Sequence, residues 1–312
     1  MNKNILITSI SSKIPLIKNV LESKDKFDKS IKVYGADISF EIVGKYFVDE
    51  LYLMPKLIDL NIDEFIEYCL KNKIKYIIPT RDEDVLYYSF FKEEFLKKDI
   101  HIFCADYKIV RRCFDKFLFV KENGADFNIK TSLKIDSLKE IKKFVVKDRF
   151  GSGSKDLGLN LEYSEALNFS KNIKEPIFQE FIEGEEYSID AFLDMKNNFV
   201  GSIIRKREII QNGEAVVTCS INDKILEEKI KTFLIKNQII GHSITQVIKK
   251  ENDYFLVECN TRFGGASTLS HKMGLESFYW FLCEVNNKSF KYVRNDKNLR
   301  QIRITKDIYF EC

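Results

Sequence analysis

Residues 254–265 read Y-F-L-V-E-C-N-T-R-F-G-G, and the two halves of the stretch have different characters. Phe255, Leu256 and Val257 form a short apolar run with aromatic and β-branched members, the composition of a buried strand. Glu258, Asn260 and Arg262 follow at a spacing of two, which in an extended chain puts all three side chains on one face. A carboxylate, an amide oxygen and a guanidinium aimed at one spot suit a divalent cation bridging phosphate oxygens, with the arginine taking up the remaining negative charge.

The residues just upstream extend the pattern. Residues 244–248 are a second apolar strand, and Lys250-Glu251-Asn252-Asp253 is a polar turn. A hairpin centred near Asn252 sets Gln246 opposite Glu258 on the same face, so Gln246, Glu258 and Asn260 make one oxygen-rich patch. Taken alone, the pattern fits a solvated strand end equally well.

The chain has 312 residues, which predicts two domains or a three-lobed enzyme with a substantial core. Fifty Lys+Arg against 47 Asp+Glu leave a net charge of only +3, so nothing in the balance calls for nucleic acid or an acidic membrane. The N-terminus runs into a strand-like segment without a signal-peptide pattern, and no apolar run approaches the roughly 20 residues of a spanning helix. Seven cysteines are scattered singly with no CxxC pair, which fits free thiols in a reducing cytoplasm. A catalytic cysteine is disfavoured, because His101, His242 and His271 stand in no recognisable context.

The first third alternates short apolar strands (5–7, 31–34, 76–80, 100–104) with helical patterns (13–21, 65–70, 83–98). That alternation predicts a parallel sheet with helices on both faces. Ser9, Ser11, Ser12, Asp37 and Thr80-Arg81-Asp82 then fall at the carboxyl edge, where such sheets bind ligands. No GxGxxG follows the first strand, which argues against a nicotinamide dinucleotide.

The middle changes character. Residues 108–123 read as a helix carrying Asp115-Lys116 and ended by Gly124. A strand, 144–147, enters Asp148-Arg149-Phe150-Gly151-Ser152-Gly153-Ser154, a loop whose backbone N–H groups can surround phosphate oxygens although it is no Walker A loop. A strand over 177–182 then meets a turn and a carboxylate-rich strand, Glu183-Gly184-Glu185-Glu186-Tyr187-Ser188-Ile189-Asp190.

These parts, in this order, resemble the ATP-grasp superfamily, and within it the carbamoyl phosphate synthase large-chain group and its small amino-acid ligase relatives. The resemblance rests on D-K at 115–116, V-V-K-D-R-F-G-S-G-S at 145–154, Q-E-F-I-E-G-E-E-Y-S-I-D at 179–190, Gln246 and V-E-C-N-T-R-F-G-G at 257–265. It implies an ATP-grasp fold of mixed α/β and α+β class: an N-terminal parallel α/β domain (1–106), then a small lobe (107–180) and a large lobe with the metal site (181–312) enclosing ATP.

The resemblance also implies roles. Lys116 and Lys147 reach ATP phosphates, and Gly151, Ser152, Gly153 and Ser154 close over the β- and γ-phosphates. Glu180, Phe181 and Ile182 read adenine, and Glu186 holds ribose hydroxyls, with Glu183 and Glu185 as competitors. Gln246, Glu258 and Asn260 bind Mg²⁺ or Mn²⁺, and Arg262 steadies the transferred phosphoryl group. Arg205 and Arg207 alternate onto one face, either clamping an anion or merely facing solvent. Residues 266–273 open a helix whose N-terminus can add backbone donors. Two positions depart from the pattern: Asp148 stands where the loop strand usually has Pro, and Gln246 where many relatives carry a carboxylate.

The expected function is an ATP-dependent carboxylate–amine ligase working through an acyl phosphate and releasing ADP and phosphate. Its partners are ATP, a small carboxylate and an amine, with a homodimer common among relatives. The open alternatives are a carbamoyl-phosphate-type or other phosphoryl-transfer enzyme on the same ATP site, and a nucleotide-binding protein without turnover.

Overall fold

The computed structural model describes residues 2–123, 127, 129–151, 156–211 and 213–309. Strands β1 (Asn4–Thr8) and β2 (Val33–Asp37) flank helix α1 (Ile14–Phe27), and both strands are buried along their whole length. The chain continues through β3 (Glu50–Leu53), α2 (Ile62–Lys71), β4 (Ile74–Ile78), α3 (Asp82–Phe90), α4 (Lys92–Leu96) and β5 (His101–Ile102). The five strands form one parallel sheet in the order β3-β2-β1-β4-β5. The order reverses between β1 and β4, so the carboxyl ends of those two strands form the crevice of the sheet.

The expected helix over 108–123 is two helices, α5 (Tyr107–Phe114) and α6 (Lys116–Asn123). The break is Asp115, whose extended backbone (φ −85°, ψ 94°) ends α5 while its side chain accepts from Leu118 N–H at the start of α6. Gly124, expected to end this helix, lies outside the described residues.

Strands β6 (Thr131–Ser132), β7 (Phe144–Asp148) and β8 (Gly158–Leu161), helix α7 (Tyr163–Ser170) and strand β9 (Pro176–Glu180) follow. They build an antiparallel sheet, β6-β9-β7-β8, with its own core around Phe144, Val146, Phe178 and Ala166. Strands β10 (Glu185–Leu193), β11 (Phe199–Gln211) and β12 (Glu214–Ile221) precede helix α8 (Lys224–Lys236). The hairpin β13 (Gly241–Lys250) and β14 (Asp253–Asn260), helices α9 (Thr268–Lys272) and α10 (Ser277–Val285), and strand β15 (Arg300–Ile302) complete the chain. This second antiparallel sheet runs β14-β13-β10-β11-β12-β15. Its α10, with Trp280 and Phe281 buried, shares one core with Ile5, Ile7 and Ile17 of the parallel domain. No described helix is long and apolar enough to cross a membrane.

Candidate active site

The hairpin β13–β14 carries the register expected at Gln246 and Glu258, for a different reason. Lys250 pairs with Asp253, so the turn is Glu251-Asn252, with Glu251 at φ 55°. Counting back from that turn without interruption would pair Gln246 with Val257. A bulge between Gln246 and Val247 advances β14 by one residue, giving Val247↔Leu256 but Gln246↔Glu258. Leu256 and Tyr254 therefore face the core, while Glu258 and Asn260 turn to the opposite face. Bulges next to functional sites commonly re-aim side chains in this way.

Across the large sheet the pairings Arg205↔Ser188, Ser188↔Gln246 and Gln246↔Glu258 form one lateral row. Arg207 joins the same face: it donates to Glu186 Oε2 (2.8 Å), Gln246 Oε1 (3.4 Å) and Gly213 O (2.6 Å). Asn260 donates to Glu258 Oε1 at 2.9 Å. One carboxylate with two amide oxygens is a hard-oxygen donor set that fits Mg²⁺, which needs few protein ligands when phosphates supply the others.

The small sheet and helix α6 supply the cations opposite. Lys147 lies at the end of β7, its side chain facing Glu258 closely enough for that charge to be felt. Its ammonium is buried rather than solvent-facing, only 8% of the residue being exposed. Burial pulls it down from the ordinary 10.5 to about 8, Lys116 adds to the fall, and Glu258 opposes it. Lys116 donates to the Gly151 carbonyl. Its neighbour Asp115 plays a structural part. Buried, it takes a bidentate ion pair from Arg149 at 2.8 and 2.6 Å. That pair anchors the start of the Gly/Ser loop to α6. Asp148 contributes too, its carboxylate accepting Phe150 N–H at 2.8 Å, an Asx turn in the place of the usual proline. Ser152, Gly153 and Ser154 lie outside the described residues.

Glu180, Phe181 and Ile182 line the same cavity between the two antiparallel sheets. Phe181 N–H is committed to Lys143 O at 2.9 Å, which leaves that residue its carbonyl for a ligand. The chain enters β10 through Gly184, where a Cβ would sit 2.4 Å from Lys249 O, so only glycine fits the crossing. Among the competing carboxylates, Glu183 and Glu186 line the cavity, whereas Glu185 pairs with Lys206 and Tyr187 on the other face.

Three placements differ from the sequence picture. Arg205 lines the cavity but is buried and held by Asp190, with Nε 2.5 Å from Oδ2. Burial alone would raise Asp190, yet Arg205 and His242 hold its carboxyl well below the usual range. Arg262 lines the cavity but gives both Nε and Nη2 to Asp82, at 2.7 Å each, across to the first turn of α3. Finally, residues 265–267 form a 3-10 turn before the five-residue α9, too short for a helix-terminus anion site; the hydroxyls of Ser267 and Ser270 bind Asp190 instead.

Sequence reasoning gave no cavity role to Asp82 beyond its sheet edge, nor any role to Arg303. Both line the cavity, and nothing local in the sequence marks either. Among the described residues no cysteine lines the cavity, and burial pushes the Cys69 and Cys104 thiols well up from their ordinary value. Cys312 is outside the described residues.

An N-terminal parallel α/β domain followed by two antiparallel sheets that clasp a cavity, with one lysine from the small sheet, one from α6 and an oxygen row from the large sheet, defines a nucleotide-clasping protein. Residues 113–266 match the ATP-grasp domain, and residues 5–103 the PylC-like N-terminal domain. The chain belongs to the ATP-grasp proteins. Among solved structures it is similar to the biotin carboxylase domain of the Hydrogenobacter thermophilus 2-oxoglutarate carboxylase, a dimer in complex with MgADP, ADP and bicarbonate. That match has TM-score 0.77 and 14% identity, over 95% of this chain and 73% of that one. Campylobacter jejuni biotin carboxylase matches with TM-score 0.74 and 13% identity, over 95% and 74%. The Staphylococcus aureus N5-carboxyaminoimidazole synthetase, complexed with ADP, matches with TM-score 0.70 and 18% identity, over 93% and 78%. At these identities the likeness is one of fold. No curated protein matches the sequence.

Proposed function

We propose that the protein is an ATP-dependent carboxylate–amine ligase. One observation carries this reading: Lys116 and Lys147 on one side, and Gln246, Glu258 and Asn260 on the other, face a single cavity of about 590 Å³. A space of that size with few convergent polar groups suits a nucleotide and a small substrate. The adenine subsite is assigned to Glu180, Phe181 and Ile182, the ribose to Glu186, and the phosphates to Lys116, Lys147 and the 151–154 loop. Gln246, Glu258 and Asn260 would hold Mg²⁺, which would supply charge neutralisation to the transferring phosphoryl group.

In this scheme a carboxylate oxygen attacks the γ-phosphorus, the bond to the β-phosphate oxygen breaks, and ADP leaves. The amine nitrogen then attacks the acyl carbon, phosphate departs with the former carboxylate oxygen, and the nitrogen loses a proton. Arg205, Arg207 and Arg262 stabilise the negative charge, and the cavity keeps water from the acyl phosphate. A second reading, with bicarbonate as the carboxylate, is favoured by the bicarbonate bound to the biotin carboxylase neighbour. The division into 1–106, 107–180 and 181–312, a homodimer and a cytoplasmic location belong to the same proposal.

The test is a screen of carboxylate–amine pairs for ADP release, followed by the active carboxylate labelled with ¹⁸O. Label is expected in the released phosphate. Amide formation with unlabelled phosphate rules out the acyl phosphate.

Lys147 gives a pH-dependent prediction. Its folded value of about 8 lies below the ordinary 10.5, so burying the charged form costs stability below about pH 8. That cost is relieved as the pH rises from about 8 toward the ordinary value. Triphosphate beside the ammonium restores the proton. MgATP binding at about pH 8.5 is therefore expected to take up a fraction of a proton, and at about pH 6.5 none. Calorimetry in two buffers of different ionisation enthalpy measures this. Lys147→Ala abolishes the uptake and raises the KM for ATP by roughly 10- to 100-fold, the loss of a charged hydrogen bond. Equal binding enthalpies in both buffers at the higher pH remove Lys147 from the phosphate site.

A further inference from the structure

Among the described residues four guanidinium groups line the cavity, and three of them have ion partners more shielded from water than the fourth. Arg205 is held by the fully buried Asp190, Arg262 by both oxygens of Asp82, which is 12% exposed, and Arg207 by Glu186, Gly213 O and Gln246. The fourth, Arg303, has a different setting. Its ion partner is Glu214 at the β11–β12 turn, whose side chain is 61% exposed, the most exposed partner among the four. A pair so open to water holds its arginine weakly.

The backbone nevertheless fixes where this arginine sits. Strand β15 pairs with β12 through Ile302↔Val217, and Arg303 N–H continues the ladder to Val216 O at 2.9 Å. The side chain then reaches the loop that follows β14. A Cβ added to Gly265 would lie 3.2, 3.3 and 3.4 Å from Arg303 Nη2, Nη1 and Cζ. The Nη1–Nη2 end of the guanidinium therefore packs over the glycine, and a side chain at 265 would shift it by a few tenths of an ångström. Arg303 thus bridges the β11–β12 turn to the loop after Asn260 and Arg262. This wall is built from the turns and strand ends of the large sheet, whereas Lys147 and residues 180–182 come from the small-sheet side and Lys116 from α6.

We propose that Arg303 binds a carboxylate carried by the acceptor amine. A planar fork with one exchangeable partner, set on the wall away from the lysines, matches a carboxylate bidentately. An amine held there by its own carboxylate is presented towards Arg262 and the oxygen row. That the bound amine is the acceptor rests on the ligase reading; the carboxylate site does not.

Two measurements separate those layers. Calorimetry on MgADP-saturated protein, titrated with acetate, succinate and the twenty amino acids, is expected to find binding in wild type that weakens at least tenfold in Arg303→Gln. Gly265→Ala, which displaces the guanidinium without removing it, should weaken the same ligands. MgADP affinity and Tm should hold in both variants, because the pair to Glu214 is exposed. In turnover, an amino acid should be preferred over its α-amide by wild type, with the preference lost through KM in Arg303→Gln. No carboxylate binding by wild type, or equal binding by Arg303→Gln, overturns the proposal. Carboxylate binding that depends on Arg303 in a protein releasing no ADP with any pair would uphold the site and reject the ligase.

Discussion

Glu258→Gln is expected to keep the fold and lose turnover. Glu258 ends β14 in the row with Gln246 and is the only carboxylate of the three proposed Mg²⁺ ligands, since Gln246 and Asn260 are neutral. A divalent ion bound by a single carboxylate depends on that charge more than one bound by two. Removing it should cost about 4 kcal/mol of transition-state stabilisation, roughly a thousandfold in rate. The change has a second consequence. Glu258 is the charge that raises Lys147 against its burial, so the variant should carry a lysine even more readily deprotonated. Mn²⁺ titration followed by water relaxation should show weakened metal binding, and the onset of proton uptake on MgATP binding should move to lower pH. A folded Glu258→Gln protein turning over near the wild-type rate would sink the metal assignment.

Why that row is legible in the sequence, and its neighbours are not, follows from the range of the signals. Glu258, Asn260 and Gln246 are separated by one strand and one tight turn, so periodicity of two and hairpin counting reach them. The bulge beside Val247 escapes such a count, and a turn centre placed half a residue too far along compensates for it. Asp115 and Lys147 are legible as motifs, but that Asp115 serves Arg149 and that Lys147 is buried depend on the packing of α6 against the loop. Arg205 illustrates the limit in the other direction. Alternation places it on the correct face, yet its partner Asp190 is itself clasped by Ser267 and Ser270, nearly 80 residues away. Short segments such as β5, β6 and β15 pair for only two or three residues and carry no period to detect. Asp82 and Arg303 reach the cavity through chain reversals that no local pattern encodes.

The pair formed by Arg262 and Asp82 makes the last prediction, because it joins the parallel domain to the chemistry. Both nitrogens of the Arg262 fork bind one carboxylate, 180 residues earlier, at the first turn of α3. Burial alone would favour the neutral guanidinium, but Asp82 and Glu258 hold it above its ordinary range, so it is a fixed charge. A fixed, oriented charge beside the transferring phosphoryl group acts most where negative charge builds up. Arg262→Ala should lower turnover by roughly a hundredfold, about 3 kcal/mol, while the Kd for ATP changes little. Hydroxylamine offered with the active carboxylate should trap a hydroxamate in wild type and far less in the variant. The same substitution strands Asp82, only 12% exposed, and should lower the Tm as well. Arg262→Ala combined with Asp82→Ala separates the two effects: the double variant should regain stability without regaining turnover. If activity returns along with stability, the pair is a clamp between domains, and Arg262 has no part in the reaction.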